Sequence, residues 1–264
     1  MVQQLRGTHT LPSHLIFLCV VGVLGAWDLK RDCGAKTGNV SDYDAFMTCL
    51  DRVAAAGGGQ IHVPFDRLGY NITAPLNISS QVAITGEKVR LFGGNAGGNL
   101  FNVRSSGVTI DNFVLDMHGS PQGSAAIFIH TAELPAGQAY REITLRRLRI
   151  EGSYSALADS CYHCALPAGT EAFSRVIISL LVEHVLAIYN RGPSVHLGDA
   201  RAFIKFRDVN IDNTRAPNMQ PPVTVDFPAF YLSHNEGAEL DSMDILGGGS
   251  PGAEGGHGYV INRR

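Results

Sequence analysis

Along most of the chain, apolar residues alternate with polar ones, slip out of phase, and then alternate again. Residues 108–117 show it most clearly: Val108, Ile110, Phe113 and Leu115 are apolar, and Asp111 and Asn112 interrupt them. The same ten-residue phrase recurs at 143–152, at 204–213 and at 238–247, and residues 176–185 read as a degenerate copy. In each clear copy the first, third, sixth and eighth positions are apolar. Two polar residues part the halves: Asp111-Asn112, Arg146-Arg147, Arg207-Asp208 and Asp241-Ser242. A helix does not place apolar residues at one and three, and an unbroken strand keeps its phase. The slip is what a strand bent round a corner requires if both halves face one interior.

Copies start about 28 to 35 residues apart, the spacing of a stacked repeat. Between them a further apolar strand is predicted at 126–129, 187–189, 230–232 and 259–261. Three strands per repeat, each repeat burying its inward side chains only against its neighbours, describe an all-β parallel β-helix, a solenoid. A sandwich would carry shorter, hairpin-type connections. Shorter strands are expected earlier, at 70–73, 81–85 and 89–92. The loops at 117–124, 131–141, 152–174 and 214–226 are long and rich in Gly, Pro and His. In stacked repeats such insertions gather on one face, often the binding face.

Ahead of the repeats, residues 32–64 read as turn, helix, glycine break and strand. Gly34 and Gly38-Asn39 are turn signals. Ser41 or Asp42 suits the helix N-cap, and Asp42 and Asp44 complement the helix dipole. Phe46, Leu50, Val53 and Ala54 form one apolar stripe. Gly57, Gly58 and Gly59 end the helix, and Ile61-His62-Val63 begins a strand that Pro64 closes. From Asp32 to Ala45 this stretch resembles, without a gap, the N-terminal cap of the pectate-lyase-like proteins. It departs from their usual wording at Cys33, Thr37, Gly38, Asn39, Tyr43 and Asp44. The resemblance implies a right-handed parallel β-helix with a short N-terminal capping helix. It also implies a role among polysaccharide lyases, polygalacturonase and rhamnogalacturonase relatives, and phage tailspike depolymerases.

Composition narrows the choice. The 264 residues include 45% hydrophobic residues, 30 glycines and 12 prolines, enough for a core and many short turns. A net charge of −3 gives no nucleic-acid footprint. The apolar run at 15–26 is short for a membrane span and reads as a signal peptide cleaved near Ala26. Residues 27–264 then form one β-helix domain, expected to be incomplete at its C-terminus because a new strand begins just before Arg264. Cys33 and Cys49 flank the capping helix and could pair in an exported protein. Cys161 and Cys164, with Asp159, look like half of a metal site with no second ligand pair, so no metal is assigned. Sequons begin at Asn39, Asn71 and Asn77.

Two sets of residues could carry chemistry. The ninth position of the phrase holds Asp116, Glu151 and Asp212. Asp116 and Glu151 belong to consecutive copies, so they should stack and could divide acid and base roles; the plainer reading is that they bond loop backbone N–H groups. The second set lies at or after the third strand: His130, Tyr189-Asn190-Arg191, Tyr231, His234-Asn235-Glu236, and His257 with Asn262 and Arg263. The family resemblance implies that this strand lines a substrate groove. His130, His234 and Glu236 would then move protons, while Tyr189, Arg191, Tyr231, His257 and Arg263 hold sugar. Gly256-His257-Gly258 matches a polygalacturonase phrase whose companion motifs are missing.

No phosphate loop, dinucleotide fingerprint or nucleophile elbow is present. No cofactor is expected. Calcium, which pectate lyases use, is admitted by the loop aspartates, but no acidic loop has a recognisable ligand spacing. The expectation is a secreted protein that binds and cuts a polysaccharide by hydrolysis or elimination. The alternatives are a trimeric phage tailspike or adhesin module located in a virion tail, and an inactive truncated copy.

Overall fold

The computed structural model describes residues 25–135, 137–160, 175–198, 200–213, 229–232, 237–246 and 259–261. Residues 1–24, Cys161, Cys164, His234, Asn235, Glu236, His257, Asn262 and Arg263 lie outside the described residues. In chain order, β1 (Gly25–Asp28), α1 (Tyr43–Ala55), β2 (Gly59–Val63), β3 (Tyr70–Asn71) and β4 (Leu76–Ile78) lead into β5 (Val82–Phe92). Then come β6 (Phe101–Val103), β7 (Val108–Asp116), β8 (Ala125–Ile129), β9 (Gln138–Glu151), β10 (Ser155–Asp159) and β11 (Arg175–Ile188). The last are β12 (Val195–Leu197), β13 (Ala200–Asp212), β14 (Phe230–Leu232), β15 (Ala238–Leu246) and β16 (Tyr259–Ile261).

The described residues are mostly β, and among them the strands form two parallel sheets. One has nine strands in the order β1-β2-β5-β7-β9-β11-β13-β15, with β3 added beside β5. The other has seven, in the order β4-β6-β8-β10-β12-β14-β16. From β4 onward the chain alternates between the sheets, one strand in each. The register keeps every phrase position in a row. The third position stacks Ile84, Ile110, Leu145, Val182, Phe206 and Leu240, and the eighth stacks Leu91, Leu115, Ile150, Ala187, Ile211 and Ile245. Inward residues of both sheets join one apolar cluster.

Each phrase is one continuous strand, and its bend is made by a single residue. Asn112, Arg147, His184, Asp208 and Ser242, the fifth position of five successive phrases, all have φ between 49° and 68°. A second left-handed row stands one residue before the phrase, at Gly107, Glu142, Ser179, Phe203 and Gly237. One left-handed residue turns the next side chain over, which restores the inward face after the corner. This costs about 1–2 kcal/mol at a residue with a Cβ, and neighbouring side chains support it. Asn112 donates to the Gly86 carbonyl at 2.9 Å. Asp111, fully buried, accepts from Arg146 at 3.0 Å and from Arg147 Nε at 2.7 Å.

Several expected boundaries move. The degenerate copy begins at Leu180, which pairs with Ile143 and Ile204, and not at Val176. Residues 176–188 are apolar at nearly every position and so carry no phase. Ala187 and Ile188 consequently end β11, and the strand expected at 187–189 is β12 instead. Strand β10 lies in a stretch where none was expected. Strand β1, which includes Ala26, pairs with β2.

The helix forms where expected and buries Ala45, Phe46, Cys49, Leu50 and Val53, while Ala54 is exposed. Asp42 occupies the N-cap position but makes no side-chain cap bond. Its carboxylate accepts the backbone N–H groups of Lys36 at 2.8 Å, Thr37 at 3.0 Å and Asn71 at 3.1 Å. It ties the N-terminal turn to β3. Cys33 and Cys49 form a disulfide with a Cα–Cα distance of 5.6 Å, which pins the same turn to α1.

Candidate functional site

The ninth row of the large sheet runs Phe92, Asp116, Glu151, Ile188, Asp212, Leu246. Asp116 and Glu151 are direct cross-strand partners, as their shared phrase position predicts. Asp212 is not part of the pair. Buried Ile188 stands between, and two strand spacings put Asp212 about 10 Å from Glu151.

The outward seventh position adds two cations. Arg90 Nη1 lies 2.7 Å from Asp116 Oδ2 and 3.7 Å from Glu151 Oε2. Arg149 donates through Nε to Glu151 Oε1. Glu151, only 7% exposed, therefore has a charged partner to offset its burial. On the far side of Asp116, Phe92 is partly exposed, with the Arg90 guanidinium 5.9 Å from its ring centre.

His118 completes the group from the loop after β7. Its backbone N–H and its ring Nδ1 both meet Asp116 Oδ1, at 3.3 Å and 2.8 Å. The bond from N–H of residue 118 is the plain loop-starting contact expected of an aspartate here; the ring contact is additional. Burial pushes the Asp116 carboxyl up, but the two His118 hydrogen bonds, the His118 charge and Arg90 together hold it below the usual carboxylate range. Two glycines make room for His118. A Cβ on Gly152 would stand 2.6 Å from His118 Cδ2, and one on Gly94 would overlap the His118 carbonyl.

Other expected residues go elsewhere. Arg191 does not face outward from a third strand; its Nη2 donates to the Ser120 carbonyl and, at 3.1 Å, to Ser120 Oγ. Tyr189 follows β11 in a left-handed conformation, with its N–H on the Asp212 carbonyl at 2.9 Å. Tyr231, on β14, stacks on His196 at 4.5 Å between ring centres. His130 lies beyond β8, at the opposite end of that strand from the 117–124 loop. Its Nε2 meets Asn102 Oδ1 at 2.9 Å and its Nδ1 meets Glu133 Oε1 at 3.2 Å. Burial and the Arg104 charge lower its pKa in spite of Glu133. Of the second set, His130 and Tyr231 thus lie apart from the pair, whereas Tyr189 and Arg191 lie beside its loops.

Sequence reasoning missed Arg90, Arg149 and Phe92, although the seventh and ninth rows could have supplied them. It missed His118 because a loop residue belongs to no row. One ligand atom each from Asp116, His118 and Glu151 lies within 4.8 Å of the others. A cation there would have to displace Arg90 and Arg149 from the carboxylates, so no metal is assigned to the group.

No family model matches the sequence, and no curated protein matches it. A solved structure does. ORF18 of Geobacillus virus E2 aligns at 15% identity with a TM-score of 0.38, over 83% of this chain and 48% of that one. The chain thus spans about half the length of the viral protein, and nothing of that protein's role is carried over.

Proposed function

We propose that the two sheets are faces of a right-handed parallel β-helix that binds a polysaccharide and cleaves it at Asp116 and Glu151. The observation that carries this reading is the pairing of two carboxylates from successive repeats, with His118, Arg90 and Arg149 bonded to them and Phe92 alongside. A partly exposed aromatic ring beside hydrogen-bonding charges suits a sugar, which presents an apolar face and a rim of hydroxyls. Asp116, held below the usual carboxylate range, is ionised and serves as nucleophile or charge stabiliser. Oxygens of the two carboxylates lie within 4.8 Å. Inverting hydrolases hold their carboxyl groups about 6.5–9.5 Å apart to admit a water, and retaining ones about 5–5.5 Å apart. Hydrolysis here would accordingly proceed with retention. The Cys33–Cys49 disulfide supports placement outside the reducing cytoplasm.

The test is incubation with a panel of neutral and uronate-containing polysaccharides. Reducing ends and the ultraviolet absorbance of unsaturated uronate products are followed together. New reducing ends without absorbance support hydrolysis at the pair, and both signals together indicate elimination. Retention of a polysaccharide with neither signal restricts the role to binding. No signal and no retention across the panel refutes the proposal.

A further inference from the structure

Arg191 has the sequence position of a substrate contact, yet its side chain turns back along the row of loops. Its backbone N–H bonds the Ser153 carbonyl at 2.9 Å, which anchors it one repeat beyond Glu151. From there the guanidinium passes the loop after β9 and reaches the loop after β7, 71 residues earlier in sequence, where it donates to the Ser120 carbonyl and hydroxyl. Ser120 is buried and closes a tight turn, its N–H on the Met117 carbonyl at 3.0 Å. His118 and Gly119 are the exposed residues within that turn, and His118 bonds Asp116 through both its backbone N–H and its ring.

The clasp is not the arrangement that stability alone would choose. Arg191 Nε is buried and finds no acceptor among the described residues. A buried N–H left unmatched lowers stability. An apolar side chain of similar length would cover the loop without that cost, but it could not hold the Ser120 carbonyl.

We propose that Arg191 is a positioning residue: by clasping the turn at residues 117–120 it holds His118 against Asp116 and beside Glu151. The inference rests on the reading of Asp116 and Glu151 as the functional centre, and Arg191 itself touches no substrate in it. Its effect runs through order in the loop. Without the clasp His118 samples positions away from Asp116, and a misplacement of about 1 Å at a reacting centre costs on the order of 10²-fold in rate.

The test uses the full chain as wild type, Arg191→Met and Arg191→Gln, with circular dichroism to show which variants fold. Carbon-13 NMR titration of the Asp116 carboxyl is the primary readout. A loop contact of purely structural value would not move it. Loss of the clasp is expected to raise the Asp116 pKa toward the ordinary carboxylate value, because two of the bonds that lower it come from His118. On a polysaccharide that wild type cleaves, kcat is expected to fall on the order of 10²-fold with KM unchanged. A folded variant whose Asp116 titrates as in wild type overturns the proposal; if the methionine variant does not fold, the glutamine variant decides it in the same way. Should wild type cleave nothing, the titration still settles the clasp, so failure of the functional reading and failure of this one remain separate results.

Discussion

Replacing Gly152 with alanine separates two costs that the structure assigns to different causes. Gly152 has φ +69°, and a Cβ there would stand 2.6 Å from His118 Cδ2. Gly119, in the same loop as His118, has φ +89° with nothing within 4 Å of an added Cβ. Both substitutions incur the left-handed strain of about 1–2 kcal/mol, so each is expected to lower the thermal midpoint by about 2–4 °C per kcal/mol. Only Gly152→Ala also has to push the imidazole aside. Carbon contacts are comfortable at about 3.5–4.0 Å, so the ring must retreat by about 1 Å, enough to lengthen and misalign its 2.8 Å contact with Asp116. The paired assay is thermal unfolding with carboxyl NMR titration. Gly119→Ala should lose stability with Asp116 still titrating low, whereas Gly152→Ala should lose stability and raise Asp116. Identical Asp116 titrations in the two folded variants would refute the assignment of His118 as the group that lowers it.

Three further outcomes follow from separate parts of the molecule. Reduction of the Cys33–Cys49 disulfide, whose cysteines are 16 residues apart, should cost about 3 kcal/mol by loop-closure entropy; a thermal midpoint unchanged by reductant would show that the Asp42 contacts hold the cap alone. Asp116 has a folded pKa below its unfolded value, so its stabilisation is complete above the ordinary value of 3.8 and fades as pH falls through the lower folded value; Asp116→Asn should flatten the acid side of the stability profile just below pH 3.8 and leave the neutral side unchanged in slope. Phe203 is 71% exposed with φ 55°, so Phe203→Gly should relieve strain without losing packing and raise stability by about 0.5–1 kcal/mol, read as a higher midpoint in thermal unfolding.

The fold was legible where the repeat left a phase to read. Ile110, Leu145 and Phe206 fall in one row because the phrase that contains them recurs with its polar interruption intact. It was not legible across β11, where Ile177, Ile178, Leu180, Leu181 and Val182 offer no contrast between inward and outward positions. Nor could the sequence show that Arg147 and His184 are left-handed, since neither is a residue type that marks a turn; the packed rows on both sides impose it. At the site, the pairing of Asp116 with Glu151 follows from their shared phrase position. The place of His118 does not, because it depends on loop length, on the space at Gly94 and Gly152, and on a guanidinium two loops away. The contact that Arg191 makes is hidden for the same reason: its partner is a backbone carbonyl, which no sequence pattern advertises.

The account stands on residues 116 and 151 acting as one centre because the strands bring them into register. A double-mutant cycle with Asp116→Asn, Glu151→Gln and the double variant, scored as kcat/KM on a polysaccharide that wild type cleaves, measures that directly. Each single variant should lose on the order of 10²–10⁴-fold, the usual range for a general acid or base, and the double variant should lose little more than the worse single. Single variants with wild-type activity, or losses that multiply as for two independent residues, would contradict it.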